Sequence, residues 1–223
     1  MPDAGIPDER EFATLADLAD VPIEPAVTRS EKVFGGHVWD VVSEDFDYNG
    51  ASITREFVDH PGAVAVLALD DNDRILLIQQ YRHPIRARDW EIPAGLLDVD
   101  GEEPLEAARR ELAEEVDLAA ARWDVLAEFW NSPGGSTEAI RVYLARGLTE
   151  LPAFDRVDEE ADMERRWVPL DDVVAGVLAR RLQSPSLAFG ALAAKLSRDA
   201  GWSTLTPGDA PWPRHPRLGH GPR

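Results

Sequence analysis

Cysteine is absent from the 223-residue chain. That absence excludes disulfide bonds, thiolate metal sites and cysteine nucleophiles together. Lysine is almost absent too, at positions 32 and 195 only, and 42 acidic residues face 23 basic ones for a formal net charge of -19. Phosphate-backbone binding is dominated by Lys and Arg, so no nucleic-acid partner is expected. No apolar run approaches the roughly 18 residues that a membrane helix needs. The opening MPDAGIPDER has neither a basic n-region nor an apolar h-region. The expectation is a cytoplasmic protein without membrane association. A heavy acid load suits cation binding, although acidic surfaces more often serve solubility.

What is present has a clear order. Residues 1–27 are acidic and weakly periodic, and read as a leader. Residues 28–58 alternate in short stretches around a turn-like Asn49-Gly50, the pattern of a small antiparallel meander. A main domain is expected over 59–200. Within it, Gly62 to Leu69 and Arg74 to Gln80 read as two strands of a hairpin across Asp70-Asp71-Asn72-Asp73. Asp89 to Ile92 reads as a short extended piece. Trp123 to Trp130 and Ala139 to Ala145 read as strands joined by NSPGGSTE, with a last strand at Arg165 to Pro169. Helices are expected near Leu170 to Arg180 and Ser186 to Arg198. Residues 201–223, rich in Pro, Gly and Arg, are expected to be a disordered tail.

The clearest helix is Pro104 to Val116. Leu105, Ala108, Leu112 and Val116 recur at spacings of three and four, giving one apolar stripe. Proline is welcome in a first turn. Glu111, Glu114 and Glu115 share a second face, where like charges repel by about 0.2–0.5 kcal/mol per pair. Divalent cations with oxygen ligands would relieve that repulsion, whereas an exposed Glu-rich helix needs no ligand at all.

The whole string GLLDVDGEEPLEAARRELAEEVDL resembles the Nudix box, Gly-x5-Glu-x7-Arg-Glu-U-x-Glu-Glu-x-Gly-U with U apolar. Gly95, Glu102, Arg110, Glu111, Leu112, Glu114, Glu115 and Leu118 take the motif positions. Two departures stand out: six residues separate Gly95 from Glu102, and Asp117 replaces the late glycine. Asp tolerates the left-handed conformation that this glycine serves.

The resemblance implies an α+β fold, a mixed α/β sandwich, here with a small N-terminal antiparallel β-sheet layer. It implies Mg2+ or Mn2+, two or three ions, held mainly by Glu111 and Glu115. Glu114 and the backbone carbonyl of Ala94 would assist, and Arg110 would orient the carboxylates together with Glu102. It also implies hydrolysis of a nucleoside diphosphate linked to another group, with a base on the acidic loop Asp155 to Glu164, first Glu160 and then Glu159. QYRH at Gln80 to His83, WEIPAG at Trp90 to Gly95, Pro133 and EEADM at Glu159 to Met163 resemble the ADP-ribose pyrophosphatase subgroup. That subgroup implies a homodimer exchanging the N-terminal meander, and cleavage of ADP-ribose to AMP and ribose 5-phosphate. A different nucleoside diphosphate sugar is the alternative substrate, and a non-catalytic ADP-ribose sensor the alternative class.

Four residues are candidates for contact with this small nucleotide. Arg82 offers a fork of donors to phosphate. Glu91 offers an acceptor to ribose or adenine. Ser136 and Glu138 stand on the Gly-rich loop, where they would approach a ligand or simply build the turn. Trp90 reads as core rather than as a stacking platform.

Overall fold

The computed structural model describes residues 18–154 and 163–218. The beginning of the leader and the loop carrying Glu159 and Glu160 lie outside those residues.

Three antiparallel strands come first: β1 (Ala26–Gly35), β2 (Asp40–Tyr48) and β3 (Ala51–Asp59), in the order β1-β2-β3. Asn49 and Gly50 join β2 to β3 with φ of 52° and 77°, the backbone of a tight hairpin turn. Every residue of β1 is exposed.

The main body is built on β4 (Ala63–Ala68), β5 (Arg74–Arg82), β6 (Ala87–Glu91), β7 (Ala94–Leu96), β8 (Leu118–Trp130), β9 (Ala139–Glu150), β10 (Glu164–Pro169) and β11 (Thr206–Pro207). Five of these form one sheet in the order β11-β8-β9-β4-β7, and three another, β10-β5-β6. The pairing β4–β9 is parallel, while the other pairs are antiparallel.

Successive strand residues point to opposite faces, and in β4 both faces are buried. Val64, Val66 and Ala68 pack with Leu76, Ile78 and Tyr143 against the apolar stripe of α1 (Pro104–Val116). Ala65, Leu67 and Leu69 pack with Ile75, Leu77, Val142 and Leu144 against α2 (Leu170–Leu178) and α3 (Pro185–Asp199). The result is the expected mixed sandwich, with helices on both sides of the sheet.

Two expectations need correction. Residues 62–80 do not form a simple hairpin. The Asp70 carboxylate accepts the N–H of Asn72 and Arg74 at 2.9 and 2.8 Å and closes the turn. Beyond a single bridge between Leu69 and Ile75, the strands part into different sheets. Each is buried on both faces, so each needs its own neighbours.

The segment expected as a disordered tail is ordered through Leu218. Thr206 and Pro207 pair with Val125 and Asp124 of β8. Buried Arg141 donates to the carbonyls of Ala210 and Pro211 at 2.8 and 3.0 Å, with Trp212 4.7 Å over its guanidinium. Trp212 and His215 are themselves buried. Proline loses little conformational freedom on ordering, so a Pro-rich strap folds down once a buried guanidinium satisfies its carbonyls.

Candidate active site

Helix α1 starts with Pro104 at its first position and ends at Asp117, whose φ of 58° and ψ of 39° are left-handed. This is the conformation expected where the motif has glycine. Glu115 is buried rather than displayed on an outer face, with 6% of its surface exposed. A buried carboxylate needs partners, and its Oε2 accepts the N–H of Ala94 at 3.0 Å. Glu111 lies against Gly95. A Cβ at residue 95 would stand 1.9 Å from Glu111 Oε1, so no other residue admits this approach.

Arg110 is the hub of the cluster. Its Nε and Nη2 donate to the two oxygens of Glu102, both at 3.0 Å. Its Nη1 donates to Glu111 at 2.6 Å and to Glu114 at 3.3 Å. The Glu102 hydrogen bonds are the chief reason the Arg110 pKa is raised, and Arg110 in turn lowers that of Glu102. The extra residue before Glu102 is absorbed in the turn, where Glu102 N–H reaches the Val99 carbonyl at 3.1 Å. It does not separate the motif glutamate from its arginine. Glu114 is the most exposed of the three helix carboxylates, touching Arg110 from outside.

Beside the helix lies a cavity of about 710 Å3. Arg82, Glu91, Ser136 and Glu138, the four candidates for substrate contact, all line it, and so does Ala94, whose carbonyl is a candidate metal ligand. Arg82 and Glu91 are not independent contacts. Arg82 Nε and Nη2 meet the two Glu91 oxygens at 2.8 and 2.7 Å, and Gln80 adds a bond at 3.4 Å. The pair is a unit in which Glu91 fixes the direction of the fork. Glu138 accepts from Asn131 Nδ2 at 2.8 Å, and its N–H donates to Ser136 Oγ at 3.1 Å. Trp90 packs against the core with Arg166 over its ring at 5.2 Å.

Several cavity residues carried no sequence signal. His60 is buried, and its Nδ1 accepts the Gly62 N–H at 3.0 Å, so the neutral ring carries its proton on Nε2. That nitrogen is 3.8 Å from Glu138. Burial lowers the His60 pKa. Trp39, from the turn between β1 and β2, packs against the ring at a tilt of 33°, with centroids 5.3 Å apart. Asp89 also lines the cavity, its pKa raised by burial first and by neighbouring Glu91 second. A lone His and a Trp gain meaning only when strands bring them together.

Among the described residues, no group of three His, Asp or Glu side chains converges on one metal position. The donors that do gather are hard oxygens on one helix. The space beside Gly95 is what lets Glu111 turn toward the chain carrying Ala94. This donor set suits a hard divalent cation rather than a soft metal.

A sheet clasped between helices, with the carboxylate-bearing helix α1 meeting Ala94 and Gly95 of a cavity wall, defines a mixed α/β sandwich protein. A model of the NUDIX domain matches residues 59–188, more than half of the chain. The chain therefore belongs to the Nudix hydrolase family. It is similar to the ADP-ribose pyrophosphatase of Mycobacterium tuberculosis, 44% identical over 73% of this chain and 78% of that one. It is also similar to the ADP-ribose pyrophosphatase of Bacillus subtilis, 38% identical over 75% of this chain and 90% of that one. The crystal structure of an ADP compounds hydrolase superposes with a TM-score of 0.67 at 22% identity, over 82% of this chain and 99% of that one. That likeness concerns the fold.

Proposed function

We propose that this protein hydrolyses the pyrophosphate of ADP-ribose to AMP and ribose 5-phosphate, with Mg2+ or Mn2+, as a cytoplasmic homodimer. The observation that carries the proposal is the cavity wall at Ala94 and Gly95. The nucleotide-sized space lies on one side of it, and Glu111 and Glu115 meet the same two residues.

Glu111 and Glu115 would hold the metal, two or three ions in all, with Glu114 and the Ala94 carbonyl assisting. Bound there, the cations would neutralise diphosphate charge and lower the pKa of the attacking water. Arg110, itself held by Glu102, keeps Glu111 oriented. Arg82 directs its donors at phosphate, with Glu91 holding its fork and offering an acceptor to ribose or adenine. Ser136 and Glu138 take the sugar end. Glu160, or Glu159 beside it, accepts the proton of the water as its oxygen attacks phosphorus. The bridging P–O bond breaks and its oxygen leaves with the other phosphate. The N-terminal sheet, with β1 exposed along its whole length, would be covered by the second subunit.

The test is a product assay with ADP-ribose, GDP-mannose and UDP-glucose, with Glu115→Gln as control. AMP and ribose 5-phosphate released preferentially from ADP-ribose, and lost in the variant, support the proposal. Preferential cleavage of a sugar nucleotide refutes the substrate and keeps the chemistry. Tight ADP-ribose binding without turnover would identify a sensor.

A further inference from the structure

We propose that His60 is a substrate-contacting residue, whose Nε2–H joins Oε1 of Glu138 in holding one hydroxyl of the terminal sugar, and that the pair thereby selects the sugar end. The inference rests on the reading that Ser136 and Glu138 take the sugar of a nucleoside diphosphate sugar.

His60 lines the cavity of about 710 Å3 although only 6% of it is exposed. Its ring is held at the other nitrogen, where Nδ1 accepts the Gly62 N–H at 3.0 Å, and Trp39 packs against it. Its backbone is held too. The His60 N–H donates to Thr137 Oγ1 at 2.8 Å, and the Thr137 N–H donates to the Val58 carbonyl at 3.0 Å. Thr137 precedes Glu138 in the chain, so these contacts fix the histidine and the glutamate relative to each other. Burial lowers the His60 pKa, against the pull of Glu138 and Asp59 and with the help of Arg217. The neutral ring keeps Nδ1 as an acceptor and Nε2–H as a donor.

Among the described residues Nε2 has no hydrogen-bond partner. Glu138 Oε1 stands 3.8 Å away, beyond hydrogen-bond reach. Oε2 of that carboxylate is taken by Asn131 Nδ2 at 2.8 Å. A fixed donor thus faces a fixed acceptor across a gap in the cavity wall. A hydroxyl completes both, accepting from Nε2–H and donating to Oε1. A phosphate oxygen would meet the charge of Glu138, and an ammonium offers no lone pair to the histidine. The gap therefore suits a sugar hydroxyl.

Asparagine and glutamine separate the two ring nitrogens. His60→Asn keeps an acceptor for the Gly62 N–H and loses the outer donor, whereas His60→Gln carries an amide N–H out to the place of Nε2. Steady-state kinetics with Mg2+ compare ADP-ribose with analogues that each lack one hydroxyl of the terminal ribose. In the wild type one analogue should fall roughly tenfold or more below ADP-ribose in kcat/KM. His60→Asn should raise KM for ADP-ribose roughly tenfold, change kcat far less and narrow that preference several-fold. His60→Gln should recover most of it. Glu138→Ala, the other half of the pair, should narrow the same preference, and it keeps the test decisive if His60→Asn does not fold. A histidine needed only for structure would lower the melting temperature and slow every substrate in proportion. An undiminished preference in either His60→Asn or Glu138→Ala overturns the inference, as does a wild type indifferent to every hydroxyl. A wild type that cleaves no ADP-ribose refutes the proposed reaction instead, and the inference falls with it.

Discussion

Arg110 and Arg141 are both arginines at the centre of a polar cluster, yet the clusters differ in their charge. Arg141 is 2% exposed and meets one carboxylate, Glu128, at 2.9 and 2.6 Å. Its other donors go to two backbone carbonyls and its face to Trp212. Arg141 and Glu128 balance each other's charge there. Arg110 meets three carboxylates, Glu102, Glu111 and Glu114, of which Glu114 is exposed to water. A charge-balanced cluster of this kind holds the chain together. An arginine shared among several carboxylates on one helix gathers hard oxygen donors at one place, and that difference separates a structural arginine from one serving a site.

The comparison would break first at the carboxylates. Glu115→Gln is expected to lower turnover on the order of a thousandfold, by loss of charge stabilisation at the metal. Its melting temperature should not fall, because the substitution relieves repulsion. A variant with lower stability and normal kcat would make the α1 cluster structural after all.

The strap that Arg141 anchors supplies the next test. His215 is buried, and its pKa is lowered from 6.5 to about 4, by desolvation first and then by the positive charges of Arg217 and Arg141. The unfolded chain therefore binds a proton that the folded one does not between those pH values. Stability is full above pH 6.5 and falls as pH drops toward 4, by about 3 kcal/mol at the limit. Urea unfolding at several pH values measures that slope, which His215→Asn should flatten.

Arg141→Met is expected to lose about 2–3 kcal/mol in urea unfolding while keeping KM and kcat, since it strips charge-assisted bonds from a buried cluster. Arg109→Ala sharpens the lower end of the scale. Its guanidinium meets only Glu106 among the ion pairs of the described residues, at 2.7 Å on an exposed face. The loss should stay below about 0.5 kcal/mol by the same measurement.

Legibility followed sequence distance. Gly95, Glu102, Arg110 and Glu111 lie within one turn and helix, so periodicity and motif spacing place them correctly. The turn at Asn49-Gly50 and the left-handed Asp117 were readable because each depends on the backbone of one or two residues. The parting of β4 from β5 was not readable, because a buried strand looks alike whichever neighbour it takes. Arg82 and Glu91 were each readable as polar residues near a site, but their pairing arises from the register of β5 on β6. The strap after Gly201 looked like a tail because its composition is Pro- and Gly-rich, and only Arg141, some 70 residues earlier, gives its carbonyls a reason to settle.

By itself, the sequence determined the family, the helix with its carboxylate face and the alternation that makes the sandwich, because these follow from local geometry and from side-chain type. Tertiary structure decided that Glu115 is buried against Ala94, that His60 and Trp39 share a cavity wall with Glu138, and that Asp117 joins Phe154 to Arg165. Those outcomes require distant segments to meet, and the meeting is set by the packing of the whole sheet rather than by any stretch within it.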